Sequence, residues 1–210
     1  MRAWELVSRS VRAAGPALEA RQLFSDPGHF RNLQFHPTGK WVGFEGNLRR
    51  GQQDAGGSFI RGLDPRNEPE LIDRHSAAVQ TLGFADEGRS LLGMGRDRTL
   101  YFWDLQTHQV ARTLPTLAAG ESASTQVGNF RVSPDGLKVA AANHNGLGIN
   151  IYDLASGRRL YSLPDEMGSI WWLAWHPDSR HLVVSRSDGD ISVWDLTEVE
   201  AVLAKVGLEP

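Results

Sequence analysis

Cysteine is absent from the 210 residues. That excludes disulfides, thiolate zinc sites and cysteine nucleophiles, and it fits a reducing compartment. Long apolar runs are missing as well, since none approaches the roughly 18 residues that a membrane-spanning helix needs. The first twenty residues carry Arg2, Glu5, Arg9 and Arg12 without a continuous apolar stretch, unlike a signal peptide. A basic excess is lacking too. The 22 Lys and Arg against 25 Asp and Glu give a formal net charge of −3, whereas a general nucleic-acid binder concentrates positive charge on one face. The composition, 40% hydrophobic and 22% charged, is that of a globular protein. These absences predict a cytoplasmic chain with neither nucleic acid nor membrane as its partner.

What the chain does have is repetition. Four segments share a large apolar residue, a turn and then a fresh apolar run: Phe35-His36-Pro37-Thr38-Gly39, Phe84-Ala85-Asp86-Glu87-Gly88, Val132-Ser133-Pro134-Asp135-Gly136 and Trp175-His176-Pro177-Asp178-Ser179. Their starts at 35, 84, 132 and 175 are spaced by 43 to 49 residues, close to the ~40–45 of a four-stranded propeller blade. A second landmark follows each of the last three turns: Tyr101-Phe102-Trp103-Asp104-Leu105, Asn150-Ile151-Tyr152-Asp153-Leu154 and Ser192-Val193-Trp194-Asp195-Leu196. One such Trp-Asp pair is chance; three in register with three upstream turns are a pattern.

The runs between these landmarks, such as Leu91–Met94, Val139–Ala142 and Leu182–Val184, are short and lack helical spacing. They read as strands buried on both faces. Tight turn signals separate them at Asp97-Arg98, Asn145-Gly146 and Asp188-Gly189. A sheet of this kind cannot bury both faces alone, so the repeats must stack.

On these residues the chain resembles the WD40 repeat family over about residues 30 to 200. The resemblance implies an all-β fold: a β-propeller of four-stranded antiparallel blades, about four of them. Four such blades imply a partial ring, completed by blades upstream, or one half of a dimeric ring. It also implies a side-chain network of His, Ser or Thr, Asp and Trp in each well-ordered blade. Carried over by position, the second repeat supplies His75, Asp97 and Trp103, with Gly95 where the hydroxyl belongs. The third supplies Tyr152 in the Trp place. The fourth supplies Asp188 and Trp194, with Glu166 near the His position and Arg186 in place of the hydroxyl.

The domain reading follows. Residues 1–28 form an N-terminal helical or extended segment, with Trp4, Val7, Val11 and Leu18 in mostly helical spacing broken at Gly15-Pro16. Blades then occupy about 29–73, 74–121, 122–164 and 165–197. In the first blade, Arg49 to Gly57 has turn composition and predicts a protruding hairpin loop. Residues 198–210 form a short helix with Gly207 as its stop, and a tail. This ending resembles the C-terminus of bacterial multidomain WD40 proteins, some of which carry a kinase domain upstream.

Catalytic constellations are not found. The histidines at 29, 36, 75, 108, 144, 176 and 181 lack metal-ligand spacing of the His-x-x-x-His kind, and His36 and His176 share one position of the repeat. No Gly-x-Ser-x-Gly elbow is present. The repeated Asp104, Asp153 and Asp195 read as hairpin stabilisers rather than paired catalytic carboxylates. The sequence thus predicts no metal, no cofactor and no enzyme.

The resemblance implies a protein or peptide partner on the face made by the loops that enter each first strand and the turns before each third strand. Candidate contacts there are Arg74, Arg96, Arg98 and Arg186, with Trp171 as an exposed anchor. In the run Trp171-Trp172, strand alternation would send Trp171 and Trp175 one way and Trp172 the other. Two rival readings stand beside the scaffold: a lactonase-like hydrolase propeller and an inactive C-terminal remnant of a longer WD40 protein.

Overall fold

The computed structural model describes residues 2–11, 15–25, 28–50, 53–73, 81–95, 97–117, 129–143 and 145–208. The chain divides into two compact units, Met1–Ser76 and Ala77–Pro210.

The first unit opens with a two-stranded antiparallel hairpin, β1 (Arg2–Val11) and β2 (Gly15–Ser25). The helical spacing of its apolar residues therefore builds no helix. Pro16 pairs with Ser10 at the closed end of the hairpin, a strand start where a missing N–H is tolerated. Blade 1 follows as an antiparallel sheet of β3 (Gly28–Phe35), β4 (Trp41–Arg50), β5 (Gln53–Gly62) and β6 (Glu70–Asp73) in that order. Its core holds buried Val42, Phe44 and Phe59. Phe30 meets Phe44 edge-on at 5.2 Å, and Phe44 stacks on Phe59 at 5.5 Å.

The expected protruding loop is instead paired strand. β4 and β5 stay in register from Trp41↔Gly62 out to Arg50↔Gln53. Gly46 and Gly57 face each other within this pairing. A Cβ on Gly46 would strike the carbonyl of His29, and one on Gly57 the carbonyl of Asp73. These glycines permit close backbone approach inside a sheet; they do not mark a turn.

The second unit holds three blades. Blade 2 comprises β7 (Leu82–Ala85), β8 (Ser90–Met94), β9 (Thr99–Asp104) and β10 (Gln109–Pro115). Blade 3 comprises β11 (Phe130–Val132), β12 (Lys138–Ala142), β13 (Ile149–Asp153) and β14 (Arg159–Leu163). Blade 4 has β15 (Ile170–Trp175), β16 (His181–Arg186) and β17 (Ile191–Asp195), three strands among the described residues rather than the expected four. The chain then turns into the helix α1 (Leu196–Lys205). The fold is all-β, built from β-propeller blades, and α1 is too short to cross a membrane.

Alternation along strands explains the stacking. In β12, Val139 and Ala141 join the core shared with blade 2, beside Leu92, Met94, Leu100 and Phe102. Ala140 and Ala142 point the other way and join Ile149, Ile151, Leu173, Leu182 and Val184 between blades 3 and 4. A strand apolar at every position is what two covered faces demand. Each fully buried large aliphatic or aromatic side chain contributes roughly 1.5–3 kcal/mol.

Asp195 caps α1 by accepting from the N–H of Thr197 at 2.9 Å and of Glu198 at 3.3 Å. Gly207 ends the helix with φ of 75°, its N–H bonded to the Ala204 carbonyl. Leu196 is buried and Val199 and Leu203 pack on the core between blades 3 and 4. Glu200 receives the Tyr161 hydroxyl at 2.9 Å and pairs with Lys138 at 2.9 Å. Burial and this carboxylate together push the Tyr161 phenol up. The helix thus leans on blade 3 and leaves the outer edge of β17 without a strand.

Candidate interaction surface

The repeated aspartates share one task. Asp104 accepts the N–H of Gln106 at 2.9 Å and of Thr107 at 2.7 Å. Asp153 accepts the N–H and hydroxyl of Ser156, and Asp64 in blade 1 accepts the N–H of Arg66 at 3.0 Å. Hydrogen bonds from these turn groups hold the Asp104 and Asp153 carboxyls below the ordinary range. The reading of hairpin stabilisers matches this geometry.

The expected blade networks are rewired. His75 lies outside the described residues. Asp97 spends one oxygen on its own turn, at the N–H of Thr99, and the other on the Tyr101 hydroxyl at 2.7 Å. Trp103 is buried and stacks with Tyr101 at 5.8 Å. At Gly95 a Cβ would meet the Asp97 carboxylate, so a hydroxyl-bearing residue there would require Asp97 to shift. Tyr152 is buried and donates to the Thr116 carbonyl at 3.0 Å. In blade 3 the amides of Asn143 and Asn145 both donate to Asp165, at 2.8 and 2.7 Å. In blade 4, Asp188 accepts the N–H of Asp190 at 3.2 Å, while Arg186 pairs with Glu166. The buried Nε1 of Trp194 has no acceptor among the described residues.

The basic surface is a correction. Arg74 and Arg96 lie outside the described residues. Arg98 is only 2% exposed and Arg186 only 4%, so neither offers a contact. Arg98 reaches the Ala142 carbonyl of blade 3 at 3.5 Å, and burial lowers its pKa. Arg186 donates to the carbonyls of Leu147 and Gly168 as well as to Glu166. Both arginines stitch neighbouring segments together instead of facing outward.

Trp171 is 67% exposed, as the anchor reading requires, and Trp172 is exposed beside it at 49%. The register of β15 on β16 slips between Ile170 and Trp172. This bulge cancels the alternation and turns both indoles outward, while Trp175 packs inward and donates to the Arg131 carbonyl at 3.0 Å. The Arg131 guanidinium lies 4.1 Å from the Trp172 ring. Burial lowers the Arg131 pKa to about 10. Asn129 fixes the backbone by donating to the Trp171 carbonyl at 2.7 Å. Trp172, Ala174, Val183, Ile191 and Val193 share one side of blade 4 by cross-strand register. Ile191 and Val193 are 70% and 63% exposed. The same face carries Ser185 between Trp172 and Ile191.

Two segments, residues 69–104 and 157–195, match the model of the WD domain, G-beta repeat. Over those two segments the chain is similar to WD40 repeats. Each matched segment starts just before the last strand of one blade and ends at the Trp-Asp pair on the third strand of the next. Curated proteins are similar to it over about half of its length. Transducin beta-like protein 3 of Mus musculus is 29% identical over 110 residues, covering 50% of this chain and 14% of that protein. WD repeat-containing protein 3 of Mus musculus is 29% identical over 124 residues, covering 59% and 12%. Target of rapamycin complex subunit wat1 of Schizosaccharomyces pombe is 29% identical over 108 residues, covering 50% and 32%. The chain thus spans a third or less of these WD40 relatives.

Proposed function

We propose that the chain is a non-catalytic WD40 module that serves as a protein–protein interaction scaffold, with the open face of blade 4 as its contact surface. The observation that carries this is the outward pair Trp171 and Trp172, on a blade whose Ile191 and Val193 also stay exposed among the described residues. Tryptophan is the residue most enriched at interface hot spots, and the apolar body around it excludes water. The name of wat1 describes a subunit of a multiprotein complex, and membership of an assembly is the role we assign here. The covering surface is a protein partner, further blades of a longer chain, or a second copy.

Affinity purification of the intact chain beside a Trp171→Ala/Trp172→Ala/Val193→Asp variant tests this reading. A defined protein partner is expected with the wild type and lost, by tenfold or more, with the variant, while both melt cooperatively. A wild type that recruits no protein, or hydrolase turnover by the purified chain, overturns it. Light scattering separates the occupants: a mass twice 23.2 kDa identifies a second copy.

A further inference from the structure

The turn between β15 and β16 brings together three side chains that the linear spacing does not mark. His176, Asp178 and His181 each offer a ligand atom, and these atoms all lie within 4.8 Å of one another. The Nδ1 atoms of His176 and His181 converge on a single oxygen, Asp178 Oδ2, at 2.9 and 2.7 Å.

Three neighbours prearrange this group. The other carboxylate oxygen, Oδ1, accepts the N–H of Arg180 at 2.8 Å and of His181 at 3.1 Å, which aims Oδ2 at the two rings. Asp195 places an oxygen 3.6 Å from Nε2 on the far edge of the His181 ring, as a carboxylate behind a ligating imidazole does. Ser179 holds the left-handed turn at φ of 60°, and its hydroxyl receives the N–H of Asp135 from the matching turn of blade 3 at 3.0 Å.

Repetition explains part of the group and not the rest. His176 shares its position with His36, and Asp178 shares its position with Asp135. At the place of His181, however, blade 3 has Lys138 and blade 1 has Trp41. In the blade 1 turn the Nδ1 of His36 meets the Thr38 hydroxyl at 2.8 Å and accepts the Thr38 N–H at 3.1 Å, as His176 accepts the N–H of Asp178 at 3.3 Å, but no carboxylate stands at position 38. The full set occurs in the blade 4 turn alone among the four turns, so the fold does not require it.

We infer that His176, Asp178 and His181 bind a divalent transition cation, zinc or an ion of similar borderline softness, through the two Nδ1 atoms and Asp178 Oδ2. Two imidazoles and one carboxylate suit Zn²⁺, Ni²⁺ or Cu²⁺ better than the all-oxygen shells of Mg²⁺ and Ca²⁺. Metal–ligand distances of about 2.0–2.1 Å put ligand atoms roughly 3.3 Å apart. The present contacts open by about half an ångström to admit the ion, a movement within reach of exposed side chains. The fourth position then faces solvent, where water or a partner's side chain completes the shell.

Calorimetric titration of the intact, chelator-treated chain with ZnCl₂ tests the inference, with metal content after dialysis as a second readout. One equivalent is expected to bind. His176→Ala, His181→Ala and Asp178→Asn each weaken binding at least tenfold, and His36→Ala leaves it unchanged. Circular dichroism and melting curves in chelator show that the variants fold. Saturating zinc raises the Tm of the wild type and leaves that of His176→Ala/His181→Ala where it was. No saturable binding, one equivalent retained by the double variant, or an equal loss on His36→Ala overturns the assignment. None of these outcomes depends on the scaffold role.

Discussion

Blades 3 and 4 use the same parts to different ends. Each joins its first two strands by a Pro-containing turn, pairs its strands antiparallel and closes its third strand on a turn-capping aspartate, Asp153 in one and Asp195 in the other. Blade 3 is apolar on both faces, and both faces are covered. Blade 4 covers one face, while Ile191 and Val193 on the other stay exposed, and a helix takes the place of its fourth strand. The difference separates residues that make the fold from residues available to a partner. Apolar side chains of equal size differ in meaning according to which side of a strand they occupy.

That contrast can be broken most forcefully from the covered side. Ile151 is fully buried between blades 3 and 4. Replacing it with Ala removes its burial and leaves a cavity, so Ile151→Ala should cost about 2–5 kcal/mol in urea unfolding. A cost below 1 kcal/mol would mean that the two blades do not stack as a single core. The next largest effect is electrostatic. Arg186 is buried against Glu166, and Glu166→Gln strips its counter-charge while preserving shape. A loss of about 2 kcal/mol is expected, and a cycle with Arg186→Met should show most of it as coupling between the two.

Local features were legible in the sequence, and features that depend on a neighbour were not. The aspartates at 104, 153 and 195 cap their turns because an Asx side chain reaches backbone two or three residues on, a distance that primary structure encodes. Strand runs such as Val139–Ala142 were legible because no polar side reached solvent. Arg98 and Arg186 misled, because charge suggests surface, and only the carbonyls of adjoining segments reveal that these guanidinium groups are buried. The outward turn of Trp171 beside Trp172 depends on a bulge that alternation cannot foresee. Gly46 and Gly57 read as linker because glycine in a turn and glycine under a crossing backbone look the same in one dimension. The His176–Asp178–His181 group escaped notice because its ligands meet across a hairpin, where neither helical nor strand spacing applies.

Smaller effects sharpen the comparison at the turns. Ser179 links the blade 4 turn to that of blade 3 through the Asp135 N–H, and Ser179→Ala should cost about 1 kcal/mol in the same unfolding assay. Loss of that size would show that turns as well as cores join the blades. The turn carboxylates add an acid dependence. The folded pKa values of Asp104 and Asp153 lie below their ordinary value. Their contribution is therefore present above the unfolded carboxylate pKa, about 3.9, and is lost as pH falls through the lower folded values. The Asp104→Asn/Asp153→Asn variant should show a shallower fall of Tm over that acid window than the wild type.

The smallest expected stability effect falls on the open face. Val193 sits on the middle register of blade 4, paired with Val183 as blade 3's Ile151 is paired with Ala140, yet it is 63% exposed. Val193→Ala should therefore change unfolding free energy by no more than about 0.5 kcal/mol, far less than the matching change at Ile151. If Val193→Ala proves as costly as Ile151→Ala in dilute protein, the face is already covered in solution, and light scattering should then find a second copy. If the substitution is silent alone but costly once a partner is bound, the open face is the contact surface, and its hydrophobicity belongs to binding rather than to folding.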